Sequence, residues 1–241
     1  MNIVTPKIEL IASTTLTNTV GGGSKIEDWM SLNPDTTDAE SLVEHAGRGC
    51  YESWHRPNEA TAKTSDYINR TAFEMQHGSI LEHSSATFRF SGVSRAWLCE
   101  MERHRHLSWS VVSQRYVGGD TFGVVMPPAI RDGDDAGGRG IWESEVAASF
   151  EAYDGWCTDL ALQGLPRKQA REAARSVLPN ATEVRGVVTG NLRAWSTILP
   201  LRAHPSADRE MQEVAMLILD ALDPVAPTVT NHIRQQIKEN A

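Results

Sequence analysis

Between Arg103 and Tyr116 the chain reads RHRHLSWSVVSQRY. Arg103, His104, Arg105 and His106 stand side by side, and Arg115 returns ten residues after Arg105. Ser108, Ser110, Ser113, Gln114 and two aromatics are interleaved with them. These are the groups of an anion site. Guanidiniums offer permanently charged, bidentate donors, and hydroxyls and amides add further hydrogen bonds. Like charges packed this closely repel unless an anion lies between them. The chain as a whole carries a formal net charge of −8 over 241 residues, so the positive charge is local. That balance argues against a nucleic-acid partner, which needs a broad basic face to release counterions from phosphates.

Further arginines fall later: Arg175 ends a basic helix, Arg193 follows Asn191, and Arg202 stands in ILPLRAH. Taken singly, each reads equally well as a surface ion pair worth little. The glycine stretches VGGGS and DAGGRG match neither a dinucleotide fingerprint nor a P-loop and read as loops. His77, His83, His104 and His106 lack an HExxH pattern or an acidic residue at ligand spacing, so no metal is expected. Cys50, Cys99 and Cys157 suit neither a disulfide framework nor zinc and are expected as buried reduced thiols. Cys99, with Arg103 one turn on, is the one with a nearby cation that could make it nucleophilic. No apolar run approaches the roughly 18 residues of a membrane span, and the start has no signal-peptide pattern. A cytoplasmic protein with no membrane partner is expected.

The elements that must position these groups follow from periodicity. Residues 7–14 read as a strand, GGGSKIED as a turn, and 38–54 as a helix capped near Asp38, with Leu42, Val43 and Ala46 inward. TSDYINRTAFEMQHG gives a second helix with Tyr67, Ile68, Ala72 and Met75 on one face and Gly78 as its stop. SSATFRFSG alternates as a half-buried strand. GVSRAWLCEMERHR reads as a helix, so the basic run sits at its end and continues into a loop. FGVVMPP is a short strand and RDGDDAGGRG a polar loop open to nicking. A long helix follows, then the basic helix of LPRKQAREAARSVLP, the strand ATEVRGVVTG, the helix NLRAWSTIL and a final amphipathic helix ADREMQEVAMLILDAL. Without a βαβ rhythm, an α+β fold over a single domain of residues 1–241 is expected.

The run RHR, seven residues, then Ser113 resembles the signature of flavin-dependent thymidylate synthases. GCYESWHRPN, HGSILEH, RKQAREAARSVLPNATEVR, TGNLRAW and LRA fall in the same order, over roughly residues 40–225, and are most similar to actinobacterial and phage-type members. The resemblance implies FAD-dependent reductive methylation of dUMP to dTMP. Methylenetetrahydrofolate would be the carbon donor and NADPH the reductant, with no protein nucleophile. It implies a central antiparallel sheet flanked by helices and a homotetramer with shared active sites. Position by position, it implies flavin contacts at Ser79, Arg103, His104, Arg105, Val111, Asn191, Leu192, Arg193 and Thr197. It implies dUMP contacts at Glu100, Arg103, Ser113, Gln114, Arg115, Arg175 and Arg202. Arg202 would be catalytic, stabilising an N3-ionised uracil, and His77 would lie near flavin and folate. Departures are Ser110-Val111 where many members carry Asn-Glu, Thr197 in place of Asn or His, and Ser206 in place of His.

Overall fold

The computed structural model describes residues 2–17, 36–53, 63–134 and 136–240. Its strands are β1 (Ile3–Val4), β2 (Lys7–Ser13), β3 (Ser85–Ser94), β4 (Leu107–Val111), β5 (Val124–Val125) and β6 (Glu183–Asn191). Its α-helices are α1 (Asp38–Cys50), α2 (Thr64–Ile68), α3 (Arg95–Met101), α4 (Pro128–Arg131) and α5 (Ala136–Leu162). They continue with α6 (Arg167–Ala174), α7 (Leu192–Ala203), α8 (Arg209–Leu222) and α9 (Pro227–Glu239).

The alternation in β3 dictates the architecture. Ala86, Phe88 and Phe90 are fully buried while Arg89 is exposed, so the strand has one dry face. It lies inside a four-stranded antiparallel sheet of order β2–β3–β6–β4, which leaves β2 and β4 as edges. Phe88 meets Trp195 of α7 edge-on at 5.4 Å, and Phe90, Trp97 of α3 and Trp109 of β4 form a mutual aromatic cluster. Each such buried ring contributes on the order of 2–3 kcal/mol. Helix α8 packs on β2 and α7, and α9 packs on α7. β5 lies within the strand expected in FGVVMPP and pairs in parallel with β1, whose two residues gave no periodicity of their own.

The β3–α3 junction is built around a bulge. Pairing of β3 with β6 shifts between Phe90 and Val93, and Gly92 sits in the left-handed region at φ 66°. A Cβ on Gly92 would lie 1.9 Å from the Thr5 carbonyl oxygen, so only glycine fits. Glu183, almost wholly buried, accepts the Gly92 N–H (3.0 Å) with one carboxylate oxygen and the Gly123 N–H (2.9 Å) with the other.

Several expectations are corrected. The second helix ends as an α-helix at Ile68 and continues as a π-helix over Asn69–Glu74, with Met75 N–H bonded to Arg70 O. The wider π turn rotates Met75 off the buried face, where it is half exposed. Gln76, not Gly78, takes the left-handed conformation that stops it, and Gly78 opens a 3₁₀ turn (Gly78–His83). The helix from Arg95 ends at Met101, and residues 107–111 of the expected loop are the edge strand β4. Helix α5 already begins within DAGGRG, so the expected polar loop is shorter. In α1, Leu42 and Ala46 are only half-buried, and the interior face carries Glu40, Glu44 and Arg48 beside Val43. The chain does not end on α8, because α9 follows. Cys50 and Cys99 are exposed and Cys157 half-exposed, since the buried positions of α3 are Trp97, Leu98 and Met101. The turn expected in GGGSKIED and part of GCYESWHRPN lie outside the described residues.

Candidate active site

Helix α3 is a short platform whose first donors are all engaged. Arg95 N–H bonds Thr182 O (3.1 Å), Ala96 N–H bonds Asn180 O (3.3 Å), and Trp97 N–H bonds the N-cap hydroxyl of Ser94 (3.0 Å). A helix of seven residues would fray in isolation, and this pairing fixes it. Its last turn presents Glu100 to α7. There Arg202 donates through one terminal nitrogen to Glu100 Oε2 (2.8 Å) and through the other to Glu100 O (3.0 Å). Its Nε–H is given to His104 Nε2 (2.8 Å).

That last bond fixes a tautomer. Arginine cannot accept, so His104 Nε2 is unprotonated and the ring proton sits on Nδ1. Burial lowers the His104 pKa, and the neighbouring Arg202 and Arg103 lower it further, so the ring is held neutral. Arg202 keeps 16% of its side chain exposed and uses three N–H groups, leaving two of its five free for a ligand.

In front of this triad opens a cleft of about 700 Å³. Arg103, His104, Arg105 and His106 line one wall, and Asn191, Arg193, Ala194, Thr197 and Ile198 line the other. The second wall is the start of α7, whose Asn191 cap accepts the Ala194 N–H (2.8 Å). Three guanidiniums beside the N-terminus of a twelve-residue helix make an anion-binding concavity. Glu82 is the acidic residue of the lining and pairs with Arg193.

The expected site residues therefore divide. Arg103, His104, Arg105, Asn191, Arg193 and Thr197 share the cleft, and Glu100 and Arg202 stand behind it through His104. Leu192 is fully buried beneath the helix start. His77 and exposed Ser79 flank Gly78, where a Cβ would meet Arg193 Nε at 3.4 Å, so they border the cleft without lining it. Val111, Ser113, Gln114, Arg115 and Arg175 are not brought there. β4 separates Arg105 from Arg115, and its five residues span about 16 Å at the usual rise. The basic run is thus two groups rather than one packed cluster. Arg115 pairs with Glu172 of α6 (3.5 Å), and Arg171 holds Tyr116 O (2.6 Å). Gln114 is buried and accepts from Arg95 at 3.4 Å, while its Nε2 has no partner among the described residues. Arg175 is exposed in the 3₁₀ turn after α6. His106, part of the basic run singled out in the sequence, lines the cleft, while the reading from residues alone missed Glu82, Ala194 and Ile198. The i, i+4 spacing that puts Arg193 and Thr197 on one side of α7 also aligns Ala194 with Ile198, and could have found the last two.

Among the described residues no cluster suits a metal ion, and no helix is long and apolar enough to cross a membrane. Fold and cleft together define an α+β protein with an arginine-lined cleft suited to an anion and a preset guanidinium beside it. The profile of the family described as "Thymidylate synthase complementing protein" matches residues 32–228. A "Probable flavin-dependent thymidylate synthase" of Mycobacterium phage D29 is 44% identical over 230 residues, 94% of this chain and 96% of the relative. The corresponding protein of Mycobacterium phage L5 is 48% identical over 201 residues, 81% of each chain. The "Flavin-dependent thymidylate synthase" of Mycobacteroides abscessus is 44% identical over 207 residues, 84% of this chain and 81% of the relative. Among solved structures, Thymidylate Synthase X (ThyX) from Helicobacter pylori, with FAD and dUMP, matches with a TM-score of 0.63. It shares 20% identity and the match covers 95% of this chain and 98% of that one. The UMP/dUMP methylase PolB from Streptomyces cacaoi matches at 0.69 and 23% identity, over 98% and 97%. The chain belongs to the flavin-dependent thymidylate synthase family.

Proposed function

We propose that this chain converts dUMP to dTMP, with FAD as cofactor, methylenetetrahydrofolate as carbon donor and NADPH as reductant. The observation that carries the reading is Arg202, held by Glu100 and by His104, itself a residue of the arginine-lined cleft, with two N–H groups to spare. A guanidinium that cannot deprotonate, fixed in a partly desolvated place, stabilises negative charge on a uracil ring ionised at N3. Charge delocalised from N3 makes C5 the nucleophile. C5 attacks the methylene carbon of the folate, the carbon–nitrogen bond to the folate breaks so that tetrahydrofolate leaves and takes up the proton lost from C5, and a hydride added to the remaining exocyclic methylene would complete the methyl group. None of the three cysteines lines the cleft, in keeping with a route that needs no protein thiol.

FAD suits the residues present. Arg103, Arg105 and Arg193 with the start of α7 suit a pyrophosphate, and Asn191 and Thr197 offer further hydrogen bonds. Reduced flavin, when bound, supplies the hydride. His104 and Arg103 join the flavin wall to Arg202, so the two ligands would share one boundary. The remaining dUMP groups, Ser113, Gln114, Arg115 and Arg175, reach this boundary when a second copy supplies them. The unpartnered, buried Gln114 Nε2 is what a missing ligand would leave behind. Exposed Ile141, Trp156 and Leu162 on α5 support assembly, and a homotetramer with shared sites is the reading we adopt.

An anaerobic absorption spectrum tests this. The expected result is a flavin band that NADPH bleaches, faster with dUMP present, followed by dTMP on addition of methylenetetrahydrofolate. Protein that stays colourless after FAD is added would overturn the reading.

A further inference from the structure

Glu210 lies in the first turn of α8 and is not among the residues that line the cleft. Yet its carboxylate makes two short bonds to one residue of the site's platform. Oε1 accepts the Ser94 N–H (2.7 Å) and Oε2 accepts the Ser94 hydroxyl (2.6 Å). Because the hydroxyl proton is committed to Glu210, the Ser94 oxygen is free to accept from Trp97 N–H and cap α3. Burial raises the Glu210 pKa, the Ser94 bonds lower it, and Glu213 and Asp208 add a further raising effect. Such a group is committed to its partner, since losing Ser94 would leave a carboxylate half out of water.

The other end of α3 is held from the same corner of the fold. Arg202 in the last turn of α7 grips the side chain and carbonyl of Glu100. The seven residues of α3 make a rod of about 10 Å, so the α7–α8 corner grasps it near both ends. We propose that Glu210 is a positioning residue for Arg202: by pinning Ser94 it fixes the angle of α3, and so the place of Glu100, against which the guanidinium is aligned. The kinetic consequence rests on the function proposed above; the mechanical one does not.

The test compares Glu210→Ala and Glu210→Gln with Glu213→Gln. Glu213 lies one turn further along α8, pairs with Arg131 and makes no bond to α3. Two readouts are taken on the FAD-loaded protein: dUMP affinity, and deuterium uptake of the peptide covering residues 95–106. Glu210→Ala is expected to weaken dUMP about tenfold and to speed exchange in 95–106 at least about fivefold, with FAD affinity unchanged. Glu210→Gln, which keeps an acceptor for Ser94 N–H, is expected to fall between, and Glu213→Gln to match wild type in both. Should Glu210→Ala fail to fold, Glu210→Gln carries the comparison, since it removes the acceptor of the Ser94 hydroxyl while leaving the Ser94 oxygen on Trp97 N–H. Faster exchange with wild-type dUMP affinity would overturn the proposal, as would weaker dUMP binding with unchanged exchange. A wild-type protein that binds no dUMP would sink the functional reading instead, and the exchange data would still decide whether Glu210 pins α3.

Discussion

Arg202 has one histidine and one glutamate holding it, and both are needed to explain why a flexible side chain can serve as a fixed charge. Arg202→Ala is expected to lower turnover at least about a hundredfold while FAD stays bound, since the proposed flavin wall keeps Arg103, Arg105 and Arg193. Arg202→Lys should lose nearly as much, because one ammonium cannot reach His104 Nε2 and both Glu100 oxygens in the same plane. Steady-state kinetics with the bound-flavin spectrum check both, and near-normal turnover in either would remove Arg202 from the chemistry. A pH dependence follows from His104. Its pKa lies below the ordinary 6.5 because burial, Arg202 and Arg103 all disfavour the cation. The Arg202 contact is therefore intact above about pH 6.5 and is lost as pH falls through the lower folded value, when a protonated ring would oppose N–H to N–H. His45 and His232 are also held neutral by burial, so melting temperature would fall in the same window for unrelated reasons. The informative measurement is dUMP affinity between pH 8 and 5, weakening on acidification in wild type. His104→Gln, which keeps an acceptor but cannot titrate, should weaken less steeply, keeping only the part that comes from the dUMP phosphate taking up its second proton at about pH 6.

At the scale of elements, the junction from β3 to α3 matters most, because it aims the platform. Gly92→Ala would force a left-handed conformation on an L-residue and press a methyl into Thr5 O, so it should destabilise the fold by about 3 kcal/mol or more. Denaturant unfolding measures this, and a loss under about 1 kcal/mol would mean that the bulge relaxes freely. Much of this layer was legible. The strict alternation of Ala86, Phe88 and Phe90 announced β3, and Trp97, Leu98 and Met101 announced the inner side of α3, whereas Val93, expected on that helix, belongs to the end of β3 and pairs with Val184. Hidden parts share a physical cause, which is partners far away in sequence. β4 alternates as LSWSV, but the charges before it read as a loop until β6 is there to pair with Leu107 through Val111. Helix α9 buries Thr228, Val229, Thr230 and Ile233, a β-branched set with poor helix propensity. Its start is secured by Glu40, which accepts the Thr228 N–H (2.6 Å) and hydroxyl (2.9 Å) from across the fold. Glycines at the head of α5 suggest a breaker, yet the turns after Gly140 supply a helix already formed for them to extend.

For the whole molecule, the net charge of −8 and the arginine cleft are reconciled by placement, with positive groups gathered where strands and helices end. Placement also bears on whether one chain completes the proposed site. Arg202 and Arg105 lie toward one end of β4, and Arg115 lies beyond the other, paired with Glu172. If each site takes Arg202 from one copy and Arg115 from another, Arg115→Ala and Arg202→Ala are each inactive as pure assemblies. Mixed assemblies differ. In a pair of unlike copies, one site collects both defects and the other collects neither. Equal mixing by unfolding and refolding, with random pairing, should therefore restore about a quarter of wild-type activity. The same arithmetic predicts no recovery when Arg202→Ala is mixed with Arg105→Ala, because one copy supplies both of those side chains to a site, joined through His104. Dilution of the recovered mixture should leave its specific activity unchanged unless the copies separate. No recovery from the Arg115 and Arg202 pair, with assembly intact by light scattering, would place both arginines in a site made by one chain and would require the 113–116 turn to move to the cleft.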